Sequence, residues 1–231
     1  MNDTLNEEMM SYYDARAPEY DEIYLGKGPA SIPNPALYKN ETQVTAKIVS
    51  VFGTGHLIDI ACGTGYWLPY YARNCSKITL IDQSEKMLSE CRKKIDELKL
   101  GERCDLVQGD FLKVSFKNTL FGSALVGFLL SHLSSEEEET FFKKLRRILN
   151  PNSQLMVIDS AWSKRRQQYR QKQGVQERAL NDGRPFTIYK RYFCKLDIEE
   201  TFNRHHFQLE SYWEGDAWFV ALCGRTDKDA S

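Results

Sequence analysis

The run Leu57-Ile58-Asp59-Ile60-Ala61-Cys62-Gly63-Thr64-Gly65 joins an apolar strand ending in an acid to a glycine-rich turn. Such a turn lets backbone approach a ligand closely, because glycine adds no side chain and tolerates positive φ. Two cofactor classes use this geometry. A dinucleotide site takes G-x-G-x-x-G, yet Leu68 stands where the third glycine belongs. Asp59 also suits a diphosphate poorly, whereas it could bind the ammonium of an amino-acid-like ligand through a water or a backbone amide. His132 is the candidate general base, since it follows the fourth apolar run, on the edge where such sheets bind ligands, and titrates near neutrality. Its structural alternative is a histidine that caps or packs against the helix beginning near Ser135.

The elements that must position these residues show in the periodicity. Leu57 to Ile60, Ile78 to Ile81, Leu106-Val107, Ala124 to Phe128 and Leu155 to Ile158 read as short buried strands. Between them, Ser84 can cap a helix through Leu98 with Met87, Leu88, Cys91, Ile95 and Leu98 on one stripe. Ser135-Glu136-Glu137-Glu138 has capping-box form, and Asn150 to Ser153 ends that helix and turns the chain into the next strand. Alternating strands and helices imply parallel pairing through right-handed crossovers, hence an open α/β sheet with helices on both faces. After Ser160 a polar basic helix is expected over Ser163 to Gln173. It is followed by a strand near Phe186 to Tyr189, a helix over Leu196 to Asn203, and a hairpin of Phe207 to Trp213 with Trp218 to Gly224 at the sheet edge.

The ordered marks resemble the class I S-adenosylmethionine (SAM) dependent methyltransferases, of the small-molecule kind that modifies quinones and natural products. Asp59, Ala61, Gly63 and Gly65 match the family's first motif, with Ala61 in place of its first glycine. Asp82 stands about 20 residues past the glycine loop, where the family's acid grips both ribose hydroxyls. Gln83 to Leu88 looks like the following helix start, whose Met87 would lie against adenine. Gly109, Asp110 and Phe111 match the stretch that receives the adenine amino group and covers the ring, and Gly127 and Phe128 match the backbone beneath the methionine end. Many relatives have an acid where this chain has Ser123. Tyr12 to Asp21 resembles an N-terminal helix in which a tyrosine, here Tyr20, closes over the cofactor.

The resemblance implies a Rossmann-like fold: a seven-stranded, mostly parallel sheet with an antiparallel C-terminal edge hairpin. It implies SAM as cofactor, released as S-adenosylhomocysteine. One domain over residues 1–231 is expected, with 1–50 as a helical cover and 161–196 as an insertion or lid over the substrate site. Tyr13, Trp162, Tyr189 and Arg191 are the expected substrate contacts, and Lys190 and Arg191 are available for an anion. Aromatic faces in that insertion also suit a sulfonium or an amine.

Composition narrows the partners. Thirty-one Lys and Arg against 32 Asp and Glu leave a net charge of -1, which argues against a polyanion as the main partner. Six cysteines without a CxxC pair and a polar, acidic start favour a cytoplasmic protein with reduced thiols. No apolar run reaches the roughly 20 residues of a membrane helix. No metal site is expected: Asp159 stands without a partner acid at Ser123, and His205-His206 reads as surface at the sheet edge. The leading expectation is methyl transfer to an O, N or C atom of a small molecule. A tRNA or protein methyltransferase using the basic 164–172 segment, and a SAM-binding regulator without turnover, are the alternatives. The oligomeric state, monomer or homodimer, is left open.

Overall fold

A computed structural model describes residues 3–28, 34–117 and 119–226. The outermost parts of the expected domain, 1–2 and 227–231, and residues 29–33 of the expected cover lie outside these. The described chain runs α1 (Asp3–Arg16), a 3-10 helix (Ala17–Leu25), α2 (Pro35–Val49), β1 (Gly55–Ile60), α3 (Leu68–Tyr71), β2 (Cys75–Asp82), α4 (Glu85–Glu97), β3 (Cys104–Gln108) and β4 (Phe121–Gly127). It continues through α5 (Ser135–Ile148), β5 (Leu149–Ser160), β6 (Gln173–Ala179), β7 (Pro185–Arg191), α6 (Lys195–Arg204), β8 (Phe207–Glu214) and β9 (Trp218–Arg225).

Seven strands form one sheet in the order β3-β2-β1-β4-β5-β9-β8, parallel through β5 and antiparallel at β9 and β8. The chain reverses its direction of sheet growth between β1 and β4, and in open α/β sheets that switch point opens a crevice at the strands' carboxyl ends. Both faces are covered, so the central strands read as near-continuous apolar runs. Ile58 and Ile60 point into a layer with Phe141, Phe142 and Leu145 of α5 and Phe202 of α6. Leu57 faces the opposite layer, with Tyr38 and Val49 of α2, Tyr71 of α3, and Cys91 and Ile95 of α4.

Local chemistry fixes the helix ends. Ser84 Oγ accepts from the Met87 amide at 3.1 Å and caps α4 as expected. The capping box of α5 sits one residue before the expected position: Ser134 and Glu137 close it reciprocally. Arg146 and Arg147 fill the last turn, where the helix dipole favours cations. Asn150 to Ser153, expected as a turn, lies inside β5, whose pairing with β4 shifts register there, and Asn152 takes φ +63°.

The expected basic helix over Ser163 to Gln173 does not form. Only Arg166–Gln168 makes a helical turn, and Gln173 begins β6, which pairs antiparallel with β7 as a separate two-stranded sheet. Along β6, Gly174, Gln176 and Arg178 are the less exposed positions and Gln173, Val175 and Glu177 the exposed ones, and Asn181-Asp182-Gly183 is a hairpin turn signal. That turn pairs Gln173–Ala179 with Pro185–Arg191 in place of the end of a helix. His205, expected on the surface, is buried: it stacks on Phe142 with centroids 4.4 Å apart and an interplanar angle of 10°.

Candidate active site

The switch-point crevice is a cavity of about 200 Å³. Its floor is the motif residues Ala61, Gly63, Asp82, Gln83, Met87, Gly109, Asp110, Phe111, Gly127 and Phe128, and Tyr20, Tyr13 and His132 complete it. Of the residues expected at the cofactor, Asp59 and Gly65 alone do not line it. Gly65 is pressed against α4, where a Cβ would meet Cys91 Sγ at 2.7 Å. Asp59 lies underneath, fully buried, its Oδ2 accepting from Tyr71 Oη at 2.6 Å. Burial pushes its carboxyl up to about 7 against the pull of that hydrogen bond. Ser123, where many relatives have an acid, sits opposite Leu57 in the first half of β4 and bonds Thr54, away from the crevice.

Asp82 ends β2. Its Oδ2 accepts from the Gly63 amide and its Oδ1 from the Ser84 amide, both at 2.9 Å, so the acid both shapes the glycine loop and faces the cavity. Asp110 is held similarly by the Leu112 amide at 2.8 Å. Ala61 takes φ +56° in the turn, a left-handed conformation that costs a residue with a Cβ roughly 1–2 kcal/mol. Gly127 has open space where a Cβ would be.

The N-terminal helices are tied to this floor. Asp14 accepts from Ser84 Oγ, Asp21 from Thr64 Oγ1, and Lys94 Nζ bridges Asp21 at 2.7 Å. Glu8 Oε1 accepts from the Thr187 amide at 2.7 Å, fastening α1 to β7. Tyr13 Oη lies 2.7 Å from His132 Nε2, and His132 Nδ1 lies 2.7 Å from the Tyr189 carbonyl. A carbonyl only accepts, so Nδ1 carries the proton and Nε2 accepts from Tyr13. Burial, and then the Lys190 ammonium 3.3 Å away, hold the His132 pKa well below the usual histidine value. The ring is neutral, and both its nitrogens are engaged.

A second cavity, of about 100 Å³, adjoins the first through the shared residues Tyr13, Tyr20 and Phe128. Arg16, Arg166, Arg170, Arg178 and Lys190 reach it. The expected Trp162, Tyr189 and Arg191 do not. On β7, Ile188 and Lys190 face inward, and strand alternation turns Tyr189 and Arg191 to the other side. Arg191 instead pairs with the buried Glu138 at 2.7 Å, and Trp162 stacks on Tyr192 with centroids 6.0 Å apart. Sequence reading missed Arg16, Arg166 and Arg178. The residue-by-residue parity of a β6–β7 hairpin is the signal that would have found Arg178 and separated Lys190 from Arg191.

Residues 57–152 match a family described as a methyltransferase domain. The chain carries within that stretch the crevice's motif residues from Ala61 to Phe128. It is 22% identical over 152 residues to a demethylmenaquinone methyltransferase of Lactiplantibacillus plantarum, covering 64% of this chain and 61% of that protein. It is 28% identical over 115 residues to a phosphatidylethanolamine N-methyltransferase of Cereibacter sphaeroides, covering 50% and 55%. The chain thus spans under two thirds of the length of these curated relatives. Among solved structures it superposes on the DhpI-SAM-HEP complex with a TM-score of 0.76 at 23% identity, covering 96% of this chain and 99% of that one. The Burkholderia thailandensis 1,6-didemethyltoxoflavin-N1-methyltransferase gives 0.62 at 16% identity, covering 97% and 88%. At these identities the superpositions establish the fold.

Proposed function

We infer that the protein transfers a methyl group from SAM to an O, N or C atom of a small molecule. The observation that carries this reading is the pair of adjoining cavities, one floored by the glycine loop and two acids, the other sharing Tyr13, Tyr20 and Phe128 with it. The residues fit the cofactor. Asp82 would take the ribose hydroxyls, Asp110 the adenine amino group, Met87 and Phe111 the ring, and Gly63 and Gly127 leave room for the methionine end. When bound, SAM supplies an electrophilic methyl on a sulfonium whose sulfur departs neutral.

The chain's own residues then have three tasks: to align, to exclude water, and to present an unprotonated acceptor atom. Alignment alone can supply on the order of 7–11 kcal/mol. α1, with Tyr13, and the 161–196 segment, through β6 and β7, would serve as the lid that keeps water out. His132, neutral and weakly basic, suits the fixing of Tyr13 better than removal of a proton.

The second cavity favours a small molecule over tRNA or protein. In the basic 164–172 segment Arg166 is buried on the Ala217 carbonyl, Arg165 pairs with Asp216, and Lys172 pairs with Asp197. No continuous basic face is left for a phosphate backbone among these residues. All six cysteines are free thiols, and no helix among the described residues is long and apolar enough to cross a membrane, which supports a cytoplasmic setting. Calorimetry with SAM and S-adenosylhomocysteine, followed by incubation of labelled SAM with a metabolite extract, tests the reading. Binding with transferred label is expected; no binding overturns it, and binding without any transfer leaves the regulator.

A further inference from the structure

The geometry points to an acceptor that carries a phosphoryl dianion, a phosphonate or a phosphate monoester, one of whose oxygens receives the methyl group. This rests on the methyltransferase reading and names the substrate class of the second cavity.

The first observation is charge. Four arginines and Lys190 line that cavity, and no Asp or Glu does among its described lining residues. Three of the five are buried: Arg16 at 9% exposure, Arg166 at 8% and Lys190 at 7%. Buried cations are ordinarily paired, because desolvation of a charge is expensive. Here Arg16 is met by Tyr12 Oη at 2.8 Å and by the Tyr12 and Tyr20 rings, and Arg166 by the Ala217 carbonyl at 2.8 Å and the Tyr192 ring. Arg178 reaches Gln176 at 2.7 Å and Tyr192 at 3.3 Å. None of Arg16, Arg166, Arg170 and Arg178 has a carboxylate partner among the described residues, and Lys190 has only Asp159, at 3.8 Å. Asp159 is itself engaged by the amides of Ser131 and Ser160. The ammonium of Lys190 is destabilised first by burial and then, beyond the pull of Asp159, by repulsion from Arg178, Arg166 and Arg16, which brings its pKa down to about 7.

The second observation is direction. Arg16 comes from α1, Arg166 and Arg170 from the turn after β5, Arg178 from β6 and Lys190 from β7. Five cations converging from four segments match a tetrahedral group with oxygens pointing several ways. A planar carboxylate offers two oxygens and one charge, too little to serve them. The same excess of positive charge excludes a cationic amine as acceptor, although the aromatic walls alone would have allowed one.

The third observation is place. Lys190 Nζ lies 6.0 Å from the Phe128 ring and Arg16 lies 5.1 Å from the Tyr20 ring, and both rings line the two cavities. The anion therefore sits at the junction with the cofactor crevice and is itself the nucleophile. An oxygen lone pair of the dianion forms the O–CH3 bond while the electrons of the C–S bond stay on sulfur. A sulfonium and a dianion become a thioether and a monoanionic methyl ester, and no proton moves. The neutral, fully engaged His132 then requires no further role than holding Tyr13.

The test uses the full chain saturated with S-adenosylhomocysteine, titrated with ethylphosphonate, ethyl phosphate and propionate at one salt concentration. At least one phosphoryl compound is expected to bind 10-fold or more tightly than propionate, and the preferred one distinguishes a P–C from a P–O acceptor. Arg178→Gln and Arg170→Gln should each weaken that binding by about 10-fold to 100-fold, as loss of a charge-assisted hydrogen bond does. Affinity for S-adenosylhomocysteine should stay within twofold, and unchanged melting temperatures show that both variants fold. Propionate binding as tightly, phosphoryl binding by neither compound, or parent-like binding by both variants overturns the proposal. Failure to bind S-adenosylhomocysteine overturns the methyltransferase reading instead, which titration of the unliganded protein with the same phosphoryl compounds separates from failure of the anion site.

Discussion

The two cavities share three aromatic residues and carry opposite charge. The glycine-loop crevice is walled by Asp82, Asp110 and Glu137, with Lys113 as its one cation among the lining residues, and it rests on the buried Asp59. Its neighbour holds five cations and no acid among its lining residues. The proposed cationic cofactor and anionic acceptor would each be repelled from the other's compartment and drawn together at the junction. At a separation of about 4 Å and an effective dielectric of 20, two unit charges are worth roughly 4 kcal/mol, enough to order the pair before any bond changes.

The contrast breaks first where the acids are altered. Asp59 in the folded protein has a carboxyl pKa of about 7, raised above its unfolded value near 4. Its contribution to stability is therefore fully present below about pH 4 and lost as pH rises through 7. Asp59→Asn should remove that slope, gaining up to ~4 kcal/mol on the parent between pH 4 and pH 8 in urea unfolding. Equal slopes in parent and variant would show that no buried acid underlies the crevice. Next in size, Asp82→Ala should weaken SAM binding by about 1.5–3 kcal/mol in calorimetry while leaving anion binding to the unliganded protein unchanged. A comparable loss at both cavities would mean that the variant collapses the site instead of removing one contact.

The same contrast governs how much was legible in the sequence. The crevice is built from short contiguous stretches at the ends of β1 to β4, and strand order fixes their meeting, so Gly63, Asp82, Asp110 and Phe128 could be placed from motif and spacing alone. The cationic cavity has no such stretch. Its residues come from α1, a turn and a detached hairpin, and packing of Tyr12 against Leu180 and Ile188 together with the Glu8–Thr187 bond brings α1 and that hairpin together. Tyr189 and Arg191 lie on β7, whose expected extent stopped at Tyr189, but at the wrong parity, and a shift of one position exchanges the two faces completely. His205 was misread for a different reason: a histidine has no apolar signature, and its stacking on Phe142 depends on how α6 returns to the sheet.

The junction itself is tested by Tyr13→Phe. The variant removes the 2.7 Å bond to His132 in a buried setting and should cost about 1 kcal/mol. Because Tyr13 lines both cavities, kcat should fall about fivefold while the cofactor dissociation constant stays the same. A change confined to cofactor affinity would assign Tyr13 to the crevice alone.

The smallest effect concerns the one place where this chain departs from the glycine motif. Ala61 holds φ +56° at the crevice floor and is half-buried there. Glycine adopts that conformation freely but loses more entropy on folding, so the two terms partly cancel. Ala61→Gly should raise stability by about 0.5–1 kcal/mol in thermal unfolding, with cofactor affinity equal or slightly higher and anion binding unmoved. A destabilised variant would mean that the methyl group packs usefully against the glycine loop, and the alanine would then be a fitted part of the crevice floor and not a tolerated strain.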